Sequence, residues 1–234
     1  MEFDGSQILI GKGAQADVYK YQGYAYKIYK PTYPEEWIRF EMHQQETVVG
    51  LGLSDIRYYE TSDPHIIRMD LIEGTELEKK VLDGYLEGFN ILGDAFCKVH
   101  QAPVSPEIKM PRLIDTAFMG LAPEQWDQIR PVIEHLSEKY EPCICHLDMH
   151  FLNIMLPNDG SDYKIIDWMN ARIAPAVFDY ARTYVIFNEF SQEGLALYKE
   201  AVAKDIARLG ISDDDFKDAI MVSTVIRNRE KTEL

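Results

Sequence analysis

The chain has 234 residues, 46% hydrophobic and 12% aromatic, enough to bury one large core or two smaller ones and too apolar for a disordered segment. Its 39 acidic side chains outnumber 24 basic ones, and the formal charge of −15 disfavours binding to nucleic acid or anionic membrane surfaces. No apolar run approaches the ~20 residues that span a bilayer. Residues 1–5 lack the charged-then-apolar pattern of a leader. Cys97, Cys143 and Cys145 fit a reducing cytoplasm better than a disulfide framework.

Residues 7–10, 17–21 and 24–29 read as strands, the last two joined by a tight Gln22-Gly23 turn. Pro34-Glu35-Glu36 then opens a helix that runs to Gly50, with proline and acids in the first turn, where free amides and the dipole favour them. Residues 56–60 and 65–71 follow as strands, parted by Ser62-Asp63-Pro64. Beyond Glu73-Gly74 the texture changes. Leu86, Phe89, Leu92, Phe96 and Val99 recur at helical spacing, and 125–140 gives another helix after Pro123. Strands return at 143–145, 154–156 and 163–166. From Val177 onward the chain reads as helix, broken near Ser191 and Leu209-Gly210. The layout is α+β: a strand-rich lobe over 1–72 and a mainly helical lobe over 73–234.

Gly11-Lys12-Gly13-Ala14-Gln15-Ala16-Asp17-Val18 lies between two predicted strands. Glycines there let backbone amides approach phosphate, and Val18 would cover a flat base. Ala16 stands where G-x-G-x-x-G needs its third glycine, and a strand follows in place of a helix, so a dinucleotide fingerprint is excluded. A plain hairpin turn would read the same way. Ala25 and Lys27 share one face of the next strand, as a phosphate clamp requires, with Lys20 and Lys30 as rivals. The helix after them offers Glu41 and Glu46 to hold that lysine. Met69-Asp70-Leu71-Ile72-Glu73-Gly74 ends the last strand of the lobe, where backbone groups between apolar side chains could serve an adenine ring, as at any buried strand that leaves into a loop.

The densest chemistry is His146-Leu147-Asp148-Met149-His150-Phe151-Leu152-Asn153, with Ile165-Ile166-Asp167-Trp168 following. Asp148 suits the orientation of a substrate hydroxyl, and Asn153 and Asp167 offer the oxygen ligands that Mg²⁺ prefers. His146 suits bracing of the loop, while His150 either touches phosphate or structures the turn. A zinc set drawn from Cys143, Cys145, His146 and His150 has the wrong spacing, and the Cys-x-Cys thiols read as core.

Glycine loop, A-x-K, helix glutamate, hinge, H-x-D-x-x-x-x-N and a later metal-binding Asp occur here in the order of the kinase signature set. In detail they resemble the aminoglycoside phosphotransferase and choline kinase-like family of small-molecule kinases. Residues 146–154 are similar to its H-G-D-x-H-x-x-N-[IV] loop with Leu147 in place of glycine, Ile166-Asp167-Trp168 to its I-D-[WF], and Phe178-Asp179-Tyr180-Ala181 to its later segment, whose Asp is mainly structural. Residues 172–177 lack the family's G-D-P, and no A-P-E follows Asp167.

The resemblance implies a bilobal protein-kinase-like fold, with a small five-stranded antiparallel β lobe carrying one main helix and a larger mainly helical lobe. It implies transfer of the γ-phosphate of ATP, GTP being left open, to a hydroxyl of a small molecule with Mg²⁺. Asp148, Asn153 and Asp167 would be the catalytic set, the last two also holding the metal. Gly11, Gly13, Val18, Lys27, Glu41, Asp70 and Ile72 would bind the nucleotide. A cationic amino sugar, aminoglycoside or amino alcohol fits the acidic charge, with Asp115, Glu189 and Glu193 as candidate grips, and the helical lobe is short for a large aminoglycoside. An atypical protein kinase and a nucleotide-binding regulator without turnover are the competing readings. The oligomeric state is not legible.

Overall fold

Alternating side chains between Ala16 and Tyr29 give a hairpin with two buried faces, and a sheet grows on both sides of it. The computed structural model describes residues 3–232; the reading at Met1 and Glu2, and that at the last two residues, fall outside them. Strands β1 (Ile8–Lys12), β2 (Ala16–Tyr21), β3 (Tyr24–Tyr29), β4 (Tyr58–Tyr59) and β5 (Ile66–Asp70) form a five-stranded antiparallel sheet in the order β1-β2-β3-β5-β4. Ala16, Tyr29 and Ile67 pack on Ile38 of helix α1 (Glu35–Gly50), while Tyr21, Tyr26 and Ile66 gather with Phe3 on the other face. Two-residue periodicity therefore aims Lys27, like Tyr29, at α1.

The rest of the chain adds strand β6 (Gly74–Glu76), helices α2 (Leu77–Leu82), α3 (Gly88–His100), α4 (Leu113–Thr116) and α5 (Pro123–Lys139), then strands β7 (Pro142–Cys145), β8 (Ile154–Pro157), β9 (Lys164–Ile165) and β10 (Arg172–Pro175). Helices α6 (Ala176–Phe190), α7 (Gln192–Arg208) and α8 (Asp213–Thr232) complete it. Leu92, Phe96 and Val99 of α3 meet Ile129, Ile133 and Leu136 of α5, and Phe178 and Tyr180 of α6, in the largest core, which Val48 and Leu53 join from the end of α1. No helix among the described residues is long and apolar enough to cross a membrane.

The predicted α+β class and the five-stranded antiparallel sheet are present. Strand β4 is shorter than the expected 56–60 because side chains take its backbone groups: Gln45 donates to the Ile56 carbonyl at 2.6 Å, and the Asp70 carboxylate accepts the Arg57 amide at 2.9 Å. The helix expected from Leu86 starts at Gly88, and α2 and α4 were not anticipated. Nor were β6, which pairs with β8, and β10, which runs antiparallel to β7 from Arg172↔Cys145 to Pro175↔Pro142. Gly74 lets β6 lie this close, since a Cβ there would stand 2.5 Å from the Leu156 carbonyl oxygen. The break at Ser191 is a helix start, its hydroxyl accepting the Gly194 amide at 2.9 Å.

Candidate active site

Lys27 on β3 donates to Glu41 Oε1 at 2.6 Å and stands 3.7 Å from Asp167 Oδ1. The helix carboxylate that meets the lysine is Glu41; Glu46, on another face of α1, is 86% exposed at its side chain. Glu41 is held at its second oxygen by the Tyr29 hydroxyl at 2.5 Å, and Tyr33 stacks on Tyr29. Burial pushes the Glu41 carboxyl above its ordinary pKa despite Lys27, and also works against the charged lysine. The Asp167 and Glu41 carboxylates outweigh that cost, and the Lys27 ammonium lies well above its usual value. Lys20 instead pairs with Glu73, away from the cavity, and Lys30 is exposed at the cavity rim.

Gly13, Ala14, Gln15 and Ala16 line a cavity of about 910 Å³ shared with Lys27, Asp148 and Asp167. The Gly13 amide donates to the Ala16 carbonyl at 2.9 Å, closing the loop. Gly11 sits at an irregularity of β1 opposite Val18, where a Cβ would touch the Val18 side chain. Gly11, Val18, Asp70 and Ile72 do not line this cavity. Asp70 has its own tasks: its amide donates to the Arg57 carbonyl at 3.0 Å, and its carboxylate takes the Arg57 amide and the Tyr59 hydroxyl.

The loop between β7 and β8 is shaped by α6. Asp179, fully buried, accepts the His146 amide at 2.9 Å and the Leu147 amide at 2.8 Å, one on each carboxylate oxygen. His100 adds a third bond to Asp179 at 2.9 Å, and Thr183 donates to the Met149 carbonyl at 2.7 Å. The turn so held puts Leu147 at φ +58°, the left-handed region where the related motif carries glycine. His146 is buried against Trp168, with Nε2 3.0 Å from the Ile166 carbonyl, so Nε2 carries the proton. Its Nδ1 has no partner, and burial lowers its pKa, keeping the ring neutral.

Asn153 donates to the Asp148 carbonyl at 2.8 Å and to Asp148 Oδ2 at 3.2 Å. His150 accepts the Leu152 amide on Nδ1 at 3.3 Å, which turns Nε2 toward Asp148 Oδ2 at 3.6 Å. Burial alone would raise the Asp148 carboxyl, but the His150 ring beside it and Arg182 3.9 Å away hold it well below the usual carboxylate range. The β8–β9 pairing continues in the bond from the Ile166 amide to the Asn153 carbonyl, at 3.0 Å, so Asp167 emerges beside Asn153. Asp167 itself is left-handed, at φ +61°, and Gln44 of α1 reaches the following turn at the Ala171 carbonyl. Asn153 is buried behind Asp148 and does not itself line the cavity, and its amide nitrogen is spent on Asp148, which leaves its side-chain oxygen as the free donor atom. That oxygen and the Asp167 carboxylate make a hard donor set suited to Mg²⁺.

The thiols of Cys143 and Cys145 lie 3.7 Å apart and donate to the Ala174 carbonyl, as core residues do. The histidine beside them is His100, not His146 or His150. Sequence reading missed Tyr29 as a partner of Glu41, and Arg182 one residue beyond the recognised 178–181 segment. Spacing held the clue to the second: Arg182 follows Asp179 by three positions on a helix and so lies on the same face, under the loop.

A lysine–glutamate pair under a glycine loop, with an aspartate–asparagine loop and a left-handed aspartate beside it, repeats the order of the kinase signature set on a protein-kinase-like fold. The chain belongs to the phosphotransferase enzyme family, APH, whose family model matches residues 7–210. No curated protein matches it in sequence. Among solved structures it is similar to the aminoglycoside phosphotransferase APH(3'')-Id of Streptomyces rimosus, with 17% identity, 95% of this chain and 93% of that chain covered, and a TM-score of 0.68. It is similar to the Plasmodium vivax ethanolamine kinase, with 12% identity over 96% and 75% of the two chains and a TM-score of 0.66. It is also similar to the choline kinase LicA of Streptococcus pneumoniae, with 15% identity over 95% and 82% and a TM-score of 0.62. At these identities the likeness carries the fold.

Proposed function

We propose that the protein is a small-molecule kinase that moves the γ-phosphoryl group of ATP to a hydroxyl. The observation that carries this reading is Lys27 set between Glu41 and Asp167 in the cavity that Asp148 also enters. The two lobes, divided near residue 72, would hold the nucleotide between them, and the relatives support that use: LicA has been solved with AMP, and APH(2'')-IIa with streptomycin and ATP. The three free cysteines suit a reducing cytoplasm.

Lys27 grips phosphate oxygens while Glu41 fixes its direction, and the Gly13 to Ala16 loop covers them. Asn153 and Asp167 would hold Mg²⁺, which when bound neutralises phosphate charge. Asp148, kept ionised, accepts a hydrogen bond from the acceptor hydroxyl and aims it at the γ-phosphorus. The acceptor oxygen bonds to that phosphorus as the bond to the bridging oxygen of ATP breaks. ADP leaves, and the hydroxyl proton passes to Asp148 and on to solvent. Between Asp167 and α6 lie only a short turn and β10, which leaves no segment for ordering a peptide and speaks against a protein acceptor.

The deciding experiment is a coupled ATP and GTP consumption screen over sugars, hydroxy acids, amino sugars and amino alcohols, repeated with Asp148→Asn. Acceptor-dependent turnover that falls by about 10²–10⁴ in the variant is expected. Equal turnover in wild type and variant would refute the assignment. Asp115, Glu189 and Glu193, the candidate grips for a cationic acceptor, do not line the cavity.

A further inference from the structure

Below Asp148 the cavity wall carries more positive charge than nucleotide transfer needs. Arg182 of α6 hydrogen-bonds to the Glu230 carboxylate of α8, Arg227 Nη1 lies 3.5 Å from Glu230 Oε2, and Arg229 Nη2 lies 3.5 Å from Oε1. One carboxylate thus serves three guanidinium groups. Arg227 shares Glu189 with Lys231, and Arg229 also donates to the Met119 carbonyl. Arg172 faces the same space, its pKa lowered to about 10 by burial and by Arg229. The acids that line the cavity are Glu41 and Asp167, which face Lys27, together with Asp148 and Glu230.

Arg182 is the second observation. It is 4% exposed, and its Nε and Nη1 have no hydrogen-bond partner. Buried guanidinium donors left unused are costly, and such forks match the paired oxygens of carboxylate and phosphate. We infer that Arg182, Arg227 and Arg229 form the subsite for an oxyanion on the acceptor, the carboxylate of a hydroxy acid or the phosphate of a sugar phosphate, with the Glu230 carboxylate standing in its place. The inference rests on the kinase reading and names its substrate class. Because Arg182 Nη2 stands 3.9 Å from Asp148 Oδ1, the hydroxyl to be phosphorylated lies only a few bonds from the anion.

The test uses the full chain with D-glycerate, glycerol 3-phosphate, choline and ethanolamine. It measures both ATP consumption and, without nucleotide, calorimetric binding of the two anions. Turnover with an anionic acceptor at least about tenfold more efficient than with either amino alcohol is expected. The glycerate and phosphate arms tell the two anion sources apart. Arg227→Gln should raise the KM for the anion about tenfold with kcat little changed, and Glu230→Gln should lower that KM by removing the competing carboxylate. A merely structural network would lower Tm in both variants and leave KM unmoved, which overturns the subsite. Phosphorylation of choline or ethanolamine with no anion binding overturns it too and leaves the kinase reading standing. Anion binding with no ATP consumption on any acceptor supports the subsite and removes the kinase reading instead.

Discussion

Leu147 sits at φ +58° with its amide held 2.8 Å from the Asp179 carboxylate. A leucine resists that conformation, and the buried carboxylate supplies what glycine would otherwise supply by its freedom. Left-handed backbone costs a non-glycine residue ~1 kcal/mol or more, and a β-branched side chain suffers most. Leu147→Val should therefore destabilise by about 1–2 kcal/mol. In Leu147→Gly the relief of backbone strain should nearly cancel the loss of apolar burial, leaving stability close to wild type. Urea titration of the three proteins checks the order.

Asp179→Asn should destabilise by about 3 kcal/mol, since an amide cannot accept three donors as the carboxylate does. Turnover should fall as well, because the Asp148 loop loses its clamp. A variant with wild-type kcat and an unchanged urea midpoint would contradict this role for α6.

Two buried histidines near that clamp shift in opposite senses. For His100 burial works against the charge, but the Asp179 hydrogen bond prevails and the pKa rises above its ordinary 6.5; for His146 burial prevails and the pKa falls below it. The stability due to His100 is fully present below pH 6.5 and is lost as pH climbs through its raised folded value. That due to His146 is present above 6.5 and is lost as pH drops toward its lowered folded value. Their joint contribution is largest near pH 6.5. In thermal melts from pH 5 to 9 (roughly the range where histidines titrate), His100→Gln should remove the alkaline-side loss and His146→Gln the acid-side one.

Glu41→Gln should cut kcat/KM for ATP by roughly tenfold to a hundredfold, because the Lys27 ammonium loses its nearest carboxylate. Tyr29→Phe removes one hydrogen bond to Glu41 and should cost only about 1 kcal/mol of stability. Glu46→Gln, on an exposed face, should leave both quantities unchanged. Steady-state kinetics with varied ATP separates the three.

Gly74→Ala places a methyl 2.5 Å from the Leu156 carbonyl oxygen, a backbone atom that cannot turn aside. Opening of the β6–β8 pair should follow, with a loss of about 2 kcal/mol or more. An unchanged Tm would show that the strand pair yields without cost.

What was readable in the chain followed from local pattern. The 24–29 strand, the spacing of Leu92, Phe96 and Val99, and the 146–167 loop each carry their signal within a few residues. Strands β6 and β10 do not: three and four residues long, they become strands only because β8 and β7 lie beside them. The Arg227-Asn228-Arg229-Glu230 run reads as a solvated helix end, and only the fold turns it toward Arg182. The sequence favours Glu41 over Glu46, and the rotation of α1 decides between them.

The β7–β10 ladder joins residues 142–145 to 172–175, and Asp148, Asn153 and Asp167 all lie on the stretch between. They are tied into one closed loop whose neck is four residue pairs wide. Local opening at that neck would free the whole stretch that carries all three. Hydrogen exchange at the Cys143 and Cys145 amides would therefore report how often the neck of that loop opens.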